Sequence, residues 1–308
     1  MNSWSELNNE YNQAVVSGGS EKSGYNHILQ RKSQFIQDLS ALTGRNTILY
    51  FSAFLNQGKS AINTDINDKD INAFMETIRG TDKNKGLDLI LHTPGGEIGA
   101  TEQIISYLKS YYGDDIRAIV PQMAMSAGSM IAVSCKSIMM GRQSCIGPFD
   151  PQLGGVACQS MLREYEYAVK EVMNNPACLG LWQVMFSKLT PTFLTRCQQA
   201  DELVDKLTDK ILSGKGLPQD RIDEIKKKFS KNDDTKVHNR HIDRDECKTV
   251  GLVIEELEKD QNVQDLVLGI HHCCMILADK TNLDKIVENN IGGNYILTTA
   301  ISNTTTAP

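Results

Sequence analysis

The chain has 308 residues, of which 40% are hydrophobic and 23% charged, and its formal net charge is −6. This length suits one large α/β core with helical additions, because single cores stop growing at about 250–300 residues. The acidic balance and the lack of a basic stripe argue against a nucleic-acid partner, which requires clustered Lys and Arg to neutralise phosphates.

The N-terminus lacks the basic and apolar regions of a signal peptide, and the eight cysteines include no Cys-x-x-Cys pair. We therefore expect a cytoplasmic protein with reduced thiols and no membrane span. The longest apolar stretch, residues 118–135, contains Pro121, Gln122 and Ser126. It predicts a strand, a turn and a buried helix, because a membrane-spanning helix needs about 20 predominantly apolar residues.

The first 44 residues are polar and predict an accessory helical arm. Ser17-Gly18-Gly19-Ser20 marks a break, and apolar residues recur at helical spacing between Ile28 and Leu42. Residues 47–54 form a β-rich run that predicts a strand. A helix is expected over residues 68–79, because its apolar side chains fall on one face.

Two pairs of a strand and a helix follow. Residues 87–91 and 116–120 predict strands, and residues 99–112 predict a helix. Each strand passes through a Gly- or Ala-rich turn into its helix, and the second helix is led by Ser126. Strands that alternate with crossover helices imply parallel pairing and right-handed connections. Residues 137–140 predict a further short strand.

The rest of the chain has mostly helical patterns. Residues 156–232 are mainly helical, with breaks at prolines and glycines, and residues 251–253 return to the core. A helix is expected over residues 263–280 and a small β segment over residues 295–297, while residues 304–308 are expected to be disordered. We therefore divide the chain into an N-terminal helical arm (1–44), a core (45–258) and a C-terminal helical arm with a tail (259–308).

Two short motifs predict catalytic chemistry. His92-Thr93-Pro94-Gly95-Gly96 follows the strand at residues 87–91, and Ser126-Ala127-Gly128 begins thirty residues after Gly96. The Pro-Gly-Gly turn leaves the N–H groups of its two glycines uncovered by side chains, and Ser126 opens a helix among small residues. An oxyanion hole beside a hydroxyl nucleophile requires these parts.

The motifs resemble those of the Clp-protease and crotonase superfamily, and within it the serine dehydrogenase proteinase group, which is related to signal peptide peptidase A. Clp proteases carry a Ser-Pro-Gly-Gly turn and a nucleophile in Ser-Met-Gly, which correspond here to residues 93–96 and 126–128. The proteinase group adds a Gly-Pro-x-Asp-Pro-Gln signature and a later histidine segment before Gly-Leu. Their counterparts are residues 147–152, residues 238–242 and Gly251-Leu252.

The resemblance implies a ClpP/crotonase-like spiral ββα core in an α/β protein with helical arms at both ends, acting as a serine endopeptidase. Ser126 would be the nucleophile, and the N–H groups of Gly95, Gly96 and Ala127 would form the oxyanion hole. Members of the superfamily form rings or stacked trimers, so we expect a homo-oligomer that admits peptides or unfolded chains. No P-loop is present, so unfolding of substrates would fall to a separate ATPase or regulatory partner. No cofactor and no metal are expected.

The general base departs from the Clp pattern. Matching Leu153-Gly154-Gly155 to the Clp segment places Asp150 where those proteases have histidine, and the third member of their triad falls on Asn239. The proteinase group has its own histidine at the position of His238. We therefore take His238 as the first choice for the base, with Asp150 as its orienting carboxylate and His241 as an alternative. A near-neutral imidazole suits both steps of acyl transfer.

A Ser-Lys dyad, as in signal peptide peptidase A, is the competing arrangement. Its base is a desolvated, neutral lysine about forty to fifty residues after the nucleophile. Lys170 follows Ser126 by forty-four residues on an apolar helical pattern, but its acidic neighbours also suit an ordinary helix ion pair. The sequence leaves the choice between histidine and lysine open.

Two other functions stay open. A crotonase-type acyl-CoA enzyme would use the same glycine N–H groups to hold a thioester enolate and would not depend on Ser126. An inactive, ring-forming scaffold would keep the core and lose the base, which Asp150 and Asn239 make conceivable. The run His271-His272-Cys273-Cys274 does not predict a metal site, because consecutive residues on a helix fan out and cannot converge on one ion.

Overall fold

The computed structural model describes residues 3–56, 63–231 and 240–299. The chain divides into two units: the first comprises the residues up to Ile146 together with those from Asp243 onwards, and the second comprises Gly147–Ile242. The predicted base His238 and the predicted disordered tail at residues 304–308 lie outside the described residues.

Helices and strands alternate along most of the first unit, whereas the second unit is mainly helical. The helices are α1 (Trp4–Gly18), α2 (Glu21–Thr43), α3 (Asp70–Ile78), α4 (Ile98–Tyr112), α5 (Ala127–Ser134), α6 (Cys158–Asn174), α7 (Leu179–Phe186), α8 (Phe193–Ser213), α9 (Gln219–Phe229), α10 (Arg244–Thr249) and α11 (Gln261–Lys280), with 3₁₀ turns at Lys83–Lys85, Pro176–Cys178 and Leu257–Lys259. The strands are β1 (Asn46–Ser52), β2 (Leu87–His92), β3 (Ile116–Val120), β4 (Met123–Ala124), β5 (Ser137–Met140), β6 (Cys145–Ile146), β7 (Gln152–Leu153), β8 (Val156–Ala157), β9 (Ile242–Asp243), β10 (Ile254–Glu256), β11 (Leu283–Asn289) and β12 (Asn294–Thr298).

The main sheet of the first unit has seven strands in the order β10-β5-β3-β2-β1-β11-β12. The pairs from β10 to β1 are parallel, which confirms the pairing expected from the alternation of strands and helices. The last two strands differ, because β11 pairs antiparallel with β1 and β12 pairs antiparallel with β11. The chain is therefore mixed α/β with a central mixed sheet.

The central strands are buried along their whole length, as expected for parallel strands with helices on both faces. Helices α1, α2 and α11 contact one another, and their apolar side chains form one cluster with residues of the sheet such as Phe51, Ile90 and Ile286. The connecting helices α3, α4 and α5 also pack together, and α5 contacts β2, β3 and β5. The ends of β2 and β3 are thus held in a packed frame.

The C-terminal segment contributes more than the predicted helical arm. Its helix, α11, packs against α2 from the N-terminal arm, and β11 and β12 extend the main sheet. The predicted small β segment at residues 295–297 lies within β12. Both arms therefore take part in the packing of the first unit.

The second unit consists of α6, α7, α8 and α9 with a short hairpin of β7 and β8. Gly154 and Gly155 occupy the turn of this hairpin, and both have positive φ angles, as a tight two-residue hairpin turn requires. Helices α6 and α8 contact each other, and Phe149 stacks on Phe229 with ring centroids 5.5 Å apart.

None of the helices in the described ranges combines the length and the apolar character that a bilayer crossing requires. The apolar stretch at residues 118–135 forms β3, the short β4 and α5, as its sequence predicts.

Candidate active site

The turn after β2 and the turn after β3 are joined by backbone hydrogen bonds. Thr93 N–H donates to the carbonyl of Met123 over 3.3 Å, and Met125 N–H donates to the carbonyl of Thr93 over 2.9 Å. Thr93 thereby forms a parallel bridge with Ala124. Because the carboxyl ends of neighbouring parallel strands meet at one edge of a sheet, the two predicted motifs lie side by side.

Ser126 has an unusual backbone conformation. It is the N-cap of α5, with φ 50° and ψ −119°, and only one other described residue besides the glycines, Thr192, has a positive φ. A non-glycine residue in such a conformation costs on the order of 1–3 kcal/mol and persists only where its surroundings hold it there. The side chain is partly exposed, and within the described residues its hydroxyl has no hydrogen-bond partner. The turn therefore presents a free hydroxyl at the start of a helix.

Gly95 lies directly against Ser126. A Cβ atom at position 95 would fall 2.7 Å from the Cβ of Ser126 and 2.9 Å from the backbone nitrogen of Ala127, distances that real side chains do not adopt. Its φ of 100° also favours glycine. The N–H of Gly95 is already engaged, because it donates to the hydroxyl oxygen of Thr93 over 3.2 Å. Gly95 thus provides the space that brings the two turns together.

Gly96 is paired on its other side with Ile66. Ile66 N–H donates to the carbonyl of Gly95 over 2.7 Å, and Glu97 N–H donates to the carbonyl of Ile66 over 2.8 Å. Successive N–H groups of an extended chain point to opposite sides, so the N–H of Gly96 points away from Ile66. A Cβ at position 96 would fall 2.2 Å from the carbonyl oxygen of Ile66, so this contact requires glycine.

Two backbone donors in these turns are unoccupied. Gly96 N–H and Ala127 N–H have no hydrogen-bond acceptor among the residues that the structure describes. Ala127 opens α5, where the first N–H groups of a helix have no partner inside the helix and carry its positive partial charge. Free N–H groups beside a free hydroxyl are the parts from which an oxyanion hole and its nucleophile are built.

His92 connects the strand ends beneath the glycine turn. The ring is fully buried, and its Nδ1 lies 3.1 Å from the carbonyl oxygen of Ser52 and its Nε2 lies 3.2 Å from the side-chain oxygen position of Gln122. Burial lowers the pKa of His92 to about 4, although both hydrogen bonds act in the opposite direction. The neutral ring has one N–H, and the carbonyl of Ser52 can only accept it at Nδ1. Nε2 is then an acceptor, which bonds to Gln122 when the amide of Gln122 is turned so that its nitrogen faces the ring.

The surroundings of His92 are aromatic. Its ring stacks on Phe51 and also contacts Phe54 and His271, with centroid distances of 4.9, 4.9 and 5.0 Å. His271 belongs to the His-His-Cys-Cys run on α11, and burial also lowers its pKa. Within the described part of the chain, His, Cys, Asp and Glu side chains form no group of three or more that could hold a metal ion.

The described candidates for the general base belong to the second unit. Asp150 is buried, whereas Lys170 and His241 are exposed within this unit. A lysine that acts as a base is desolvated by burial, whereas Lys170 is exposed within this unit. The structure thus brings Ser126 and Gly95 together in the first unit, and the base stays a prediction.

Comparison with protein families decides the affiliation of the chain. Residues 61–256 match the model of the ClpP-like SDH-type serine proteinases. This range covers more than half of the chain. The chain belongs to this family. At the level of class, the family assigns serine-proteinase chemistry and a ClpP-like fold, as the motifs predict.

Two proteins of an archaeon are similar to this chain. Two uncharacterized proteins of Methanocaldococcus jannaschii are 40% identical over 98 residues and 32% identical over 149 residues. These matches cover 32% and 47% of the chain, and the chain spans only about a third (34%) and about half (51%) of the length of these relatives. A mutant of ClpP1 from Listeria monocytogenes gives a structural match with a TM-score of 0.35 and 14% identity, over 74% of this chain and 98% of that one.

Three features of the candidate site were not predicted from sequence. Thr93 joins the two turns, Ile66 pairs with the glycine turn, and His92 fixes Gln122. A signal existed for two of them, because Thr93 and His92 are polar residues that end an apolar strand. Ile66 acts through its backbone, so its side chain gives no signal.

Proposed function

We propose that this ClpP-like SDH-type serine proteinase hydrolyses peptide bonds through an acyl-enzyme on Ser126. The observation that carries the proposal is the contact between Gly95 and Ser126, which sets a free hydroxyl in a strained turn beside bare backbone amides. Strained residues that their surroundings hold in place cluster at active sites, where the strain orients the reactive group. The strand-turn-helix setting of Ser126 presents its hydroxyl in this way.

The oxyanion in this proposal is held by the N–H groups of Gly96 and Ala127. Both are unoccupied among the described residues, and Ala127 adds the positive end of the α5 dipole. Gly95 completes the predicted set mainly through its small size, because its own N–H is engaged by Thr93. One such donor contributes about 10²–10³-fold to kcat in other enzymes.

Proton transfer completes the proposed cycle. A base removes the proton of Ser126 as the hydroxyl attacks the carbonyl, and the same group then gives a proton to the leaving amine. Water releases the acyl group in a second attack. His238 with Asp150 is our first choice for this role, and His241 and Lys170 are the alternatives.

We also propose a homo-oligomer that acts on peptides or unfolded chains in the cytoplasm, with a separate ATPase or regulator to supply unfolding. The support for an oligomer is the apolar surface of α6 and α7. Met173 is 78% exposed, Val184 65% and Leu181 62%, and they lie on two helices that contact each other through the rings of Tyr167 and Trp182. Oligomers shield such surfaces.

Labelling with a fluorophosphonate probe tests the proposal. We expect one adduct per chain on Ser126, located by peptide mapping, and no adduct in Ser126→Ala. Ser134→Ala is the matched control, because Ser134 is a buried serine of the same helix whose hydroxyl donates to Ile131 over 2.7 Å. Cleavage of a casein-type peptide library should fall by at least about 10³-fold in Ser126→Ala only.

The outcomes separate the candidate functions. Labelling that persists in Ser126→Ala removes this residue as the nucleophile. No labelling of the folded wild-type protein favours either a crotonase-type enzyme or an inactive scaffold. Turnover of acyl-CoA thioesters that is unchanged in Ser126→Ala identifies the crotonase-type chemistry.

A further inference from the structure

A short segment, residues 63–67, runs along the glycine turn, and we name it the strap. Ile66, the last residue but one of the strap, makes both backbone hydrogen bonds to the turn, through Gly95 and Glu97. The strap also presses on Gly96 so closely that no Cβ could fit between them. The direction in which the N–H of Gly96 points is therefore set by where the strap lies.

The strap is held by side chains from the neighbouring strands β1 and β11. The hydroxyl of Ser52 donates to the carbonyl of Thr64 over 2.5 Å, and the Nζ of Lys285 donates to the carbonyl of Asp65 over 2.6 Å. Ser52 and Lys285 are cross-strand partners in the β1 and β11 register. Two adjacent side chains thus hold two consecutive carbonyls, which fixes both the position and the rotation of the strap.

A buried ion pair anchors this arrangement. Lys285 is 1% exposed, and its Nζ lies 2.9 Å from both carboxylate oxygens of Asp70, which also accepts from Tyr50 over 2.9 Å and from Asn67 N–H over 3.0 Å. Burial, with the charge of Asp70, raises the pKa of Tyr50 well above its ordinary value, so its hydroxyl stays protonated and donates.

Ion pairs of this kind contribute little net stability, because the desolvation of both charges offsets their attraction. In other proteins, replacement of such a pair by well-packed apolar residues is often neutral or stabilising. The pair gives Lys285 a fixed position from which its remaining donor reaches the strap. This use of a buried charge favours a role in positioning over a role in stability.

We propose that Lys285 is a positioning residue for the oxyanion hole, acting through the strap on the N–H of Gly96. The inference rests on the proposed function and adds to it a residue outside the range 61–256 that the family model matches. Lys285 touches no reacting atom in this account. Its loss should let the glycine turn shift, and a misplacement of about 1 Å can cost about 10²-fold in rate.

The chain contains a matched control, a second buried ion pair whose acidic member lies on the same strand. Lys32 is also fully buried, and it pairs with Glu288, which lies three residues after Lys285 on β11 and so on the opposite face of the sheet. Lys32 makes no contact with the strap in the described residues. Removal of the Lys32–Glu288 pair changes a side chain of the same strand and a buried ion pair of the same kind without touching the glycine turn.

The experiment compares two double variants, each of which removes a whole ion pair and leaves no unpaired buried charge. They are Lys285→Met with Asp70→Asn, and Lys32→Met with Glu288→Gln. Hydrogen exchange of the Ile66 and Glu97 amides reports the strap contact, and the rate of fluorophosphonate labelling at Ser126 reports the oxyanion hole. Both are measured where urea unfolding shows the variants to be fully folded.

We expect the first variant alone to speed exchange at both amides by at least about tenfold and to slow labelling by about 10–10²-fold. Ser52→Ala, which removes only the bond to Thr64, should change both readouts in the same direction by less. This milder variant keeps the test available if the double variant does not fold.

Three results would contradict either this inference or the proposed peptidase function on which it rests. Unchanged exchange at Ile66 and Glu97 in the Lys285 variant overturns the inference, and so does an equal loss of labelling in both double variants. In a third result, the wild-type protein is never labelled, but the Lys285 variant shows the expected faster exchange. This result overturns the peptidase proposal and leaves the coupling of Lys285 to the glycine turn in place.

Discussion

The two units of the chain hold their functional groups in opposite ways. In the first unit, Ser126 and the glycine turn are fixed by backbone hydrogen bonds to neighbouring strand ends, and every residue of α5 is buried. In the second unit, the described candidates for the base lie on a helix surface and in loops, and α6 and α7 expose apolar side chains. Groups that must be placed to a fraction of an ångström are thus built on the sheet, and the more adaptable parts are not.

The choice of base is the sharpest way to test this contrast, because a general base contributes about 10²–10⁴-fold. We expect His238→Ala to abolish labelling of Ser126 and Asp150→Asn to reduce it. Lys170→Ala should leave it largely intact, since the side chain of Lys170 is exposed and lacks the burial that a lysine base needs. Second-order labelling rates measure all three, and a loss in Lys170→Ala alone would move the assignment to a Ser-Lys dyad.

A glycine substitution in each unit provides the next comparison. Gly95→Ala drives a methyl group against Ser126 and Ala127 and should lower peptide hydrolysis by about 10²–10³-fold. Gly154→Ala, in the hairpin of the second unit, has a similarly positive φ but no atom within 4 Å of its Cβ. It should cost about 1–2 kcal/mol of folding free energy and leave the rate per folded molecule unchanged. Equal rate losses in both variants would contradict the assignment of the glycine turn.

Acid should act on the first unit through its buried histidines, His92 and His271, and the effect of His92 is the one that can be stated as a number. The pKa of His92 is about 4 in the folded chain and about 6.5 when unfolded. Between these values the unfolded chain binds a proton that the folded chain does not, so stability is fully present above pH 6.5 and falls as the pH drops towards 4. The loss from His92 is on the order of 3 kcal/mol.

Urea unfolding at several pH values measures this loss. The pH slope of the unfolding free energy between 6.5 and 4 should become smaller in His92→Gln. An unchanged slope in His92→Gln would show that the folded chain does not hold this ring neutral.

The smallest effect on folding is expected at the apolar surface of α6 and α7. Leu181→Glu with Met173→Lys should reduce the assembly mass seen by light scattering, while the stability of each chain changes by about 0.5 kcal/mol or less. Val16→Lys is the control, since Val16 on α1 in the first unit is 83% exposed. An unchanged mass in the double variant would place the subunit contacts elsewhere.

Much of the fold follows from local patterns in the sequence. The strands at residues 116–120 and 137–140 and the helix up to Tyr112 agree closely with the predictions, because their apolar residues recur at regular spacing. Strand β11 gave no such signal. It contains Asp284, Lys285, Glu288 and Asn289, which are all buried and bound to groups that lie far away in the sequence.

The candidate site also has parts that the sequence predicts and parts that it does not. The turns around Gly95 and Ser126 could be predicted from their small residues, because two backbones can approach closely only where no side chain lies between them. The strap was not visible, since it acts through the main-chain atoms of Ile66 and through Lys285, more than two hundred residues later. Sequence patterns report side-chain requirements and say little about which backbones will meet.

The contact between the two turns depends on the chirality of the Cβ atom of Thr93. Its Oγ1 accepts from Gly95, while its methyl group fills the space beside Gly128 so fully that a Cβ there would lie 2.3 Å away. Serine would keep the acceptor and leave a void, and valine would fill the void and abandon the acceptor. The threonine side chain has one hydroxyl and one methyl branch, and the configuration at its Cβ decides which branch faces which turn.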